Sequence, residues 1–210
     1  MGRMDRPRLG AVPTCIVVRA MKSQPGASLG PTDAALVVAA RAGEAWAQEA
    51  LFRRYSRMVN GLAYRILGSD ADVDDLVQDS FLEALRSLDR LENPQAFASW
   101  LGSIVVRTAG KRLRRRSLLN RLGLRRSTPI DADTVLSREA PPDVKAELGR
   151  IYGALDEMHH EARLALVLHR VEGMSLPEAA ETMGISLSTI KRRIQSAERL
   201  LQAAAPKEGP

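Results

Sequence analysis

The chain has 210 residues, which is enough for one or two domains with hydrophobic cores. Its formal net charge of +6 indicates a polyanionic partner such as nucleic acid. The only cysteine, Cys15, excludes an intrachain disulfide and a cysteine-rich zinc site, and no apolar run approaches the length of a membrane span. We therefore expect a cytoplasmic protein with no membrane insertion and no cofactor.

Helical periodicity runs along most of the chain. Residues 1–31 are rich in Pro, Gly and Ser and predict a flexible N-terminal extension. Apolar residues at i, i+3 and i+4 then predict helices over residues 32–41, 44–67 and 72–88, and a fourth helix that starts at Pro94. No segment shows the alternation of a strand, so the predicted fold class is all-α.

The charges of this first block are segregated by sign. Residues 69–92 carry eight acids against two bases, whereas residues 103–126 carry nine bases and no acid. A protein that needs only solubility mixes the signs, so the segregation predicts two surfaces with different partners. A divalent metal or acid/base site is the alternative for the acids, but they surround a surface helix, where solvation or a protein partner explains them better.

An aromatic residue followed by bases marks the fourth helix. Basic side chains follow phosphates while a planar ring stacks on an unpaired base, which is what binding of single-stranded DNA requires. The residues concerned are Trp100, Arg107, Lys111, Arg114 and Arg115. A place in the core is an equal alternative for Trp100, and Phe97 is better explained as a core residue.

The helical pattern fails over residues 117–142, where Gly and Pro accumulate, which predicts a flexible linker. Residues 143–203 form a second helical block, and residues 204–210 form a tail. The predicted architecture is therefore two small helical domains, residues 32–116 and 143–203.

The end of the second block is typical of a helix-turn-helix. Ser175 and Glu178 form a capping box, Gly184 allows a helix end with positive φ, and Ser186 caps the next helix. One face of that helix is apolar, with Ile190, Ile194, Ala197 and Leu201. The opposite face carries Ser188, Arg192, Gln195 and Arg199. This arrangement predicts a recognition helix for the major groove, with a helical hairpin and solvated arginines as the alternative.

No catalytic constellation is found in the sequence, so an enzyme is the weaker class. His159 and His160 are adjacent and are expected to point in different directions on a helix. No carboxylate stands at the spacing of an H-E-x-x-H metal site, and no metal site is expected.

Three segments, in this order, resemble the extracytoplasmic-function (ECF) sigma factors of bacterial RNA polymerase. DADVDDLVQDSFLEAL (residues 70–85) is similar to the family's clamp-binding helix. NPQAFASWLGSIVVRTAGKRLRRR (residues 93–116) is similar to its promoter-melting helix, and HRVEGMSLPEAAETMGISLSTIKRRIQSAERLL (residues 169–201) to its minus-thirty-five-binding module. The resemblance implies an alternative sigma factor that binds core polymerase, recognises the minus-ten and minus-thirty-five elements and aids strand opening.

The resemblance also implies roles for individual residues. The set that faces the clamp coiled-coil of the largest polymerase subunit is Asp75, Gln78, Asp79 and Glu83. The loop at residues 89–96 takes a flipped-out base, and the unwound strand is held by Trp100, Arg107, Thr108 and Lys111. The minus-thirty-five element is read or clamped by Thr189, Lys191, Arg192, Arg193, Gln195 and Ser196.

An anti-sigma factor is a further partner that the resemblance allows. The alternative function is a free-standing helix-turn-helix regulator whose first block only dimerises or senses. Such a regulator should tolerate Asp75→Lys and Asp79→Lys, whereas a sigma factor needs these acids.

Overall fold

The computed structural model describes residues 30–68, 72–123 and 142–204. Nearly all of the predicted tail, nearly all of the predicted N-terminal extension and most of the predicted linker lie outside these described residues. Within them we find only helices and turns, so the predicted all-α class is confirmed. None of the described helices is both long and apolar enough to cross a membrane.

Eight α-helices make up the described part of the chain. They are α1 (Asp33–Arg41), α2 (Ala45–Leu67), α3 (Val73–Arg86), α4 (Phe97–Arg121), α5 (Pro142–Glu157), α6 (His160–Leu166), α7 (Leu176–Met183) and α8 (Leu187–Ala204). Short 3-10 turns cover Leu88–Arg90 and Pro94–Ala96, and a π-helical turn, Val167–Val171, follows α6. Helices α1–α4 form an N-terminal lobe and α5–α8 form a C-terminal lobe.

Local capping chemistry sets the ends of the first helices. The Thr32 hydroxyl accepts a hydrogen bond from the Ala35 amide and starts α1. Helix α2 ends at Gly68, which has φ of 69°, the left-handed conformation that favours glycine. The predicted apolar stripe of α2 faces the core, where Leu51, Leu62 and Ile66 are buried.

Two predicted helix ends differ from those in the structure. Helix α3 ends at Arg86 rather than Leu88, because the Ser87 amide bonds to the carbonyls of both Glu83 and Ala84 and tightens the turn. Helix α4 continues to Arg121, into the predicted linker. Arg116, directly before the predicted linker, donates to Asp156 Oδ2 at 2.9 Å, which ties the last turns of α4 to the C-terminal lobe.

The helix-turn-helix prediction is confirmed in its details. The capping box of Ser175 and Glu178 is present at the start of α7, and Gly184 ends that helix with φ of 65°. The Thr189 amide donates to Ser186 Oγ at 3.2 Å and caps α8. On α8 the predicted apolar face is buried, with Ile190 and Ala197 fully inaccessible to solvent.

The two lobes share one hydrophobic core. Helix α4 packs against α6 and α7, and the buried cluster continues from Leu101 through Leu168 to Ile190. Gly110 lies at this contact, and a Cβ there would be 3.2 Å from Leu164 Cδ1. The missing side chain therefore permits the close approach of α4 and α6.

Candidate polymerase and nucleic-acid interfaces

The predicted polymerase-binding residues lie together on the outer face of α3. Asp75, Gln78, Asp79 and Glu83 are all exposed. Their spacing of three, four and eight residues places them on one side of the helix. The other side, including Leu76 and Phe81, is buried. The acidic face is therefore available to a protein partner.

Arg112 of α4 reaches across to this acidic face. Its guanidinium pairs with Asp79, and its Nη1 lies 3.7 Å from Asp75 Oδ2. Ion pairs between partly exposed side chains contribute at most about 1 kcal/mol, so a partner can compete with Arg112 for these acids. Sequence reasoning placed Arg112 only in the basic run, because the contact depends on how α3 packs against α4.

The predicted strand-binding residues follow one stripe of α4. Trp100, Arg107, Lys111 and Arg114 are separated by seven, four and three residues, which keeps them on one face. Arg107, Lys111, Arg114 and Arg115 are exposed, and Thr108 is half-buried.

The two aromatic residues of α4 differ in burial. Phe97 is 1% exposed, which confirms its interpretation as a core residue. Trp100 is half-buried, with its ring centroid 6.0 Å from that of Phe97. It therefore combines both expectations, since it packs on the core and still presents part of its surface.

The recognition helix α8 presents most of its predicted set to solvent. The exposed members are Ser188, Lys191, Arg192, Gln195, Ser196 and Arg199. Thr189 belongs to the cap, because its hydroxyl lies 2.8 Å from Ser186 Oγ. Arg193 is turned inward, with its side chain 20% exposed and its Nη2 2.5 Å from Glu161 Oε2.

A cleft of about 210 Å³ separates the basic stripe of α4 from α6 and α8. We call it the inter-lobe cleft. Its charged or titratable lining residues are Arg107, Lys111, Arg114, His160, Glu161 and Arg193. Residues predicted to bind two different DNA elements therefore meet at one place when the lobes are packed.

A buried arginine fastens the lobes together. The Arg163 side chain of α6 is 2% exposed and donates to the carbonyl oxygens of Ile66 and Leu67, each at 2.8 Å. These carbonyls belong to the last turn of α2, where helical partners are missing. Asp156 accepts from Arg163 at 2.6 Å and also from Arg116. Burial lowers the pKa of Arg163, while Asp156 acts in the opposite direction.

A second ion pair joins the lobes beside the π-helical turn. Arg65 of α2 pairs with Glu172, with Nη2 and Oε2 3.1 Å apart, and the Glu172 side chain is only 2% exposed. Arg116–Asp156 and Arg65–Glu172 are hereafter the inter-lobe ion pairs. The contact of Arg163 with the end of α2 and the Arg65–Glu172 pair were not predicted, because their partners lie about a hundred residues apart and nothing local marks them.

The expectation that the adjacent histidines point apart was wrong. His159 precedes α6 and His160 begins it, and their ring centroids are 4.3 Å apart. With Glu161 they bring three donor atoms within 4.8 Å of one another. Burial and His159 lower the pKa of His160, and Arg114 and Arg193 lower it further. The same positive surroundings disfavour a metal cation, and the absence of a metal site stays a prediction.

Comparison with known proteins gives two family matches. Residues 51–118 match the family model Sigma-70 region 2, and residues 148–201 match Sigma-70, region 4. The ECF RNA polymerase sigma factor SigE of Mycolicibacterium smegmatis is 32% identical over 156 residues, which cover 72% of this chain and 59% of that protein. The ECF RNA polymerase sigma-E factor of Haemophilus influenzae is 30% identical, over 81% of this chain and 94% of that one.

Two solved structures share the fold. CnrH, in complex with the cytosolic domain of CnrY, aligns with a TM-score of 0.52 and 27% identity, over 81% of this chain and 95% of CnrH. The sigma factor RpoE of Bartonella quintana, in complex with the anti-sigma factor NepR, aligns with a TM-score of 0.58 and 21% identity. That alignment covers 77% of this chain and 98% of RpoE, and supports the fold alone.

Proposed function

Because this chain belongs to the ECF sigma factor family, we propose that it is an alternative sigma factor that gives core RNA polymerase its promoter specificity. Sigma factors are regulatory proteins, and we assign this chain no bond chemistry of its own. Its place of action is the cytoplasm, with the polymerase and the promoter DNA as partners.

The observation that carries the proposal is the separation of an acidic face from basic ones. The acidic residues of α3 are exposed to solvent. Arg107, Lys111 and Arg114 are also exposed, but they form a separate stripe along α4. The acidic face of α3 is complementary to a protein surface rich in basic residues, and the basic stripe of α4 is complementary to the phosphates of DNA. One lobe can therefore hold polymerase and DNA together.

Strand opening follows from differential binding. A surface that binds unstacked bases better than paired ones shifts the duplex towards its open form. Trp100 offers a partly exposed ring for stacking, and the basic side chains of α4 offer contacts to phosphates. The exposed polar face of α8 reads the upstream duplex, with Arg192 and Gln195 towards base edges and Lys191 towards phosphate.

Promoter binding requires the lobes to separate. The minus-ten and minus-thirty-five elements lie about 25 base pairs apart, or about 85 Å at 3.4 Å per base pair. Helix α4, with 25 residues, is about 37 Å long, and its stripe meets α8 at the inter-lobe cleft. The packed form therefore does not bind both promoter elements at once. The inter-lobe ion pairs stabilise the packed form and so oppose promoter binding.

An anti-sigma factor is a further partner that we propose, since RpoE of Bartonella quintana, which shares the fold, was solved with the anti-sigma factor NepR. The free-standing regulator is the alternative function. It predicts DNA binding with no need for the acidic face of α3.

The test is promoter-specific transcription by core polymerase, purified without sigma factor and supplied with a genomic fragment library. Specific start sites should appear when this protein is added. Asp75→Lys should abolish them and weaken core binding. Asp74→Lys is the matched control, because Asp74 is an exposed acid of the same first turn outside the predicted polymerase set. No core binding by the unmodified protein, together with DNA binding that tolerates both Asp75→Lys and Asp79→Lys, would favour the free-standing regulator.

A further inference from the structure

The inter-lobe cleft concentrates positive charge in a small space. Four cationic side chains line it, namely Arg107, Lys111, Arg114 and Arg193. Glu161 is the only carboxylate of the lining, and Arg193 already pairs with it. Among the described residues, Arg107, Lys111 and Arg114 have no carboxylate in ion-pair contact. The lining therefore keeps a net positive charge that nothing in the described chain neutralises.

One nitrogen atom of these cations is buried without a hydrogen-bond acceptor. Arg193 Nη1 is inaccessible to solvent and has no hydrogen-bond partner in the described part of the chain. A buried donor without an acceptor is costly, and such an atom in a native structure asks for an unseen partner. An oxyanion in the cleft would provide a counter-charge for the basic residues of α4, and it would become an acceptor for Arg193 Nη1 once the guanidinium turns towards the cleft.

The size of the cleft limits the anion. Pockets for drug-sized ligands are about 300–1,000 Å³, so a cleft of about 210 Å³ is small for a whole nucleotide. The floor is apolar, with Val106, Leu164, Met183 and Ile185, and leaves the charged side chains as the polar contacts. Guanidinium groups recognise phosphoryl oxygens in a two-pronged geometry.

We propose that the inter-lobe cleft binds a small phosphoryl anion, of the size of phosphate or pyrophosphate, between α4 and α8. Because the ligand contacts both lobes, it stabilises the packed form. It also occupies basic side chains that the proposed function assigns to DNA. This competition with DNA, unlike the anion site itself, rests on that function. Binding of the anion and binding of promoter DNA should then be mutually exclusive.

The first test is calorimetric titration of the full-length protein with pyrophosphate at constant ionic strength. Arg114→Gln and Arg193→Gln should each weaken binding about five- to tenfold, the loss of one charge-assisted hydrogen bond at a partly exposed site. The matched controls are Arg115→Gln and Arg192→Gln. Each removes the same charge from the neighbouring exposed residue of the same helix, outside the cleft lining. Equal weakening by all four variants, or no binding beyond that of sulfate, would overturn the proposal.

The second test separates bridging from binding to one lobe. Pyrophosphate should raise the midpoint of thermal unfolding of the unmodified protein, and this rise should shrink in Arg114→Gln and in Arg193→Gln alike, since each lobe supplies one contact. A rise that depends on only one of them would contradict bridging.

Promoter fragments provide the third readout. At constant ionic strength pyrophosphate should lower their affinity for the unmodified protein and have little effect in Arg114→Gln. If pyrophosphate binding needs the cleft residues but does not lower the affinity for promoter fragments, the anion site stands and its coupling to DNA is refuted. If the unmodified protein bound no promoter fragment either alone or with core polymerase, the proposed function would be refuted and the calorimetric result would still stand.

Discussion

Replacement of Arg163 by methionine removes the guanidinium that joins α6 to the end of α2. Methionine is of similar length and apolar, so it fills the space but cannot donate to the carbonyls of Ile66 and Leu67. It also removes one of the two arginines bound to Asp156. Hydrogen bonds to charged groups contribute about 1.5–3 kcal/mol each, so the loss of the two that Arg163 donates to α2 costs the packed form about 3–6 kcal/mol.

Arg163 and Asp156 belong to the same lobe, so the loss of their pair affects the packed and the separated forms alike. The loss of the two hydrogen bonds to α2 falls on the packed form alone, so the equilibrium between packed and separated lobes should move by about two to four orders of magnitude. Small-angle scattering should report a larger radius of gyration for Arg163→Met. Affinity for a promoter fragment carrying both elements should rise, because less energy is needed to separate the lobes.

Arg150→Met is the matched control, since Arg150 lies on α5, half-exposed, and pairs only with Glu147 of its own helix among the described residues. A second variant, Arg65→Met, removes the Arg65–Glu172 ion pair from the side of the N-terminal lobe and leaves α6 unchanged. It shows whether lobe separation, rather than damage within α6, causes the larger radius of gyration. An unchanged radius in both Arg163→Met and Arg65→Met would show that these residues do not hold the lobes together.

Three further predictions concern single side chains. Arg192→Ala should cost about 1–3 kcal/mol of promoter affinity and relax specificity at one position of the minus-thirty-five element, measured on a set of single-base variants. Gly153→Ala should raise the free energy of unfolding by about 0.5–1 kcal/mol, because an added Cβ there has no atom within contact distance. Gly110→Ala should stabilise less or destabilise, because its Cβ would be 3.2 Å from Leu164 Cδ1; urea unfolding of both variants measures the difference. The folded state lowers the pKa of His160 below 6.5, so it binds this proton less readily than the unfolded chain. Stability should therefore fall as the pH drops through 6.5, and His160→Gln should reduce that fall in unfolding measured at pH 7.5 and 5.5.

Features that depend on neighbours in sequence could be predicted. The capping box at Ser175, the left-handed Gly184 and the buried face of α8 follow from chemistry within a few residues, and all three are present. The same holds for the exposure of Asp75 and its companions, because the apolar stripe of α3 determines which side remains outside.

Features that depend on distant partners could not be predicted. Arg163 stands in the apolar run around α6, and only the carbonyls at the end of α2, 96 and 97 residues away, explain its burial. Arg193 lies on a basic helix, yet Glu161 holds it inward. In both cases packing between the lobes overrides what the local pattern favours.

The core that continues from α4 into α6 gives lobe separation a thermal signature. Parting the helices around Gly110 and Leu164 brings hydrocarbon into contact with water, which raises the heat capacity of the separated form. Contacts with DNA that bury apolar surface change the heat capacity in the opposite direction, so the enthalpy of promoter binding should vary less steeply with temperature than the DNA contacts alone would produce. Cooling weakens hydrophobic burial, so a cold solution favours the separated lobes more than a warm one does.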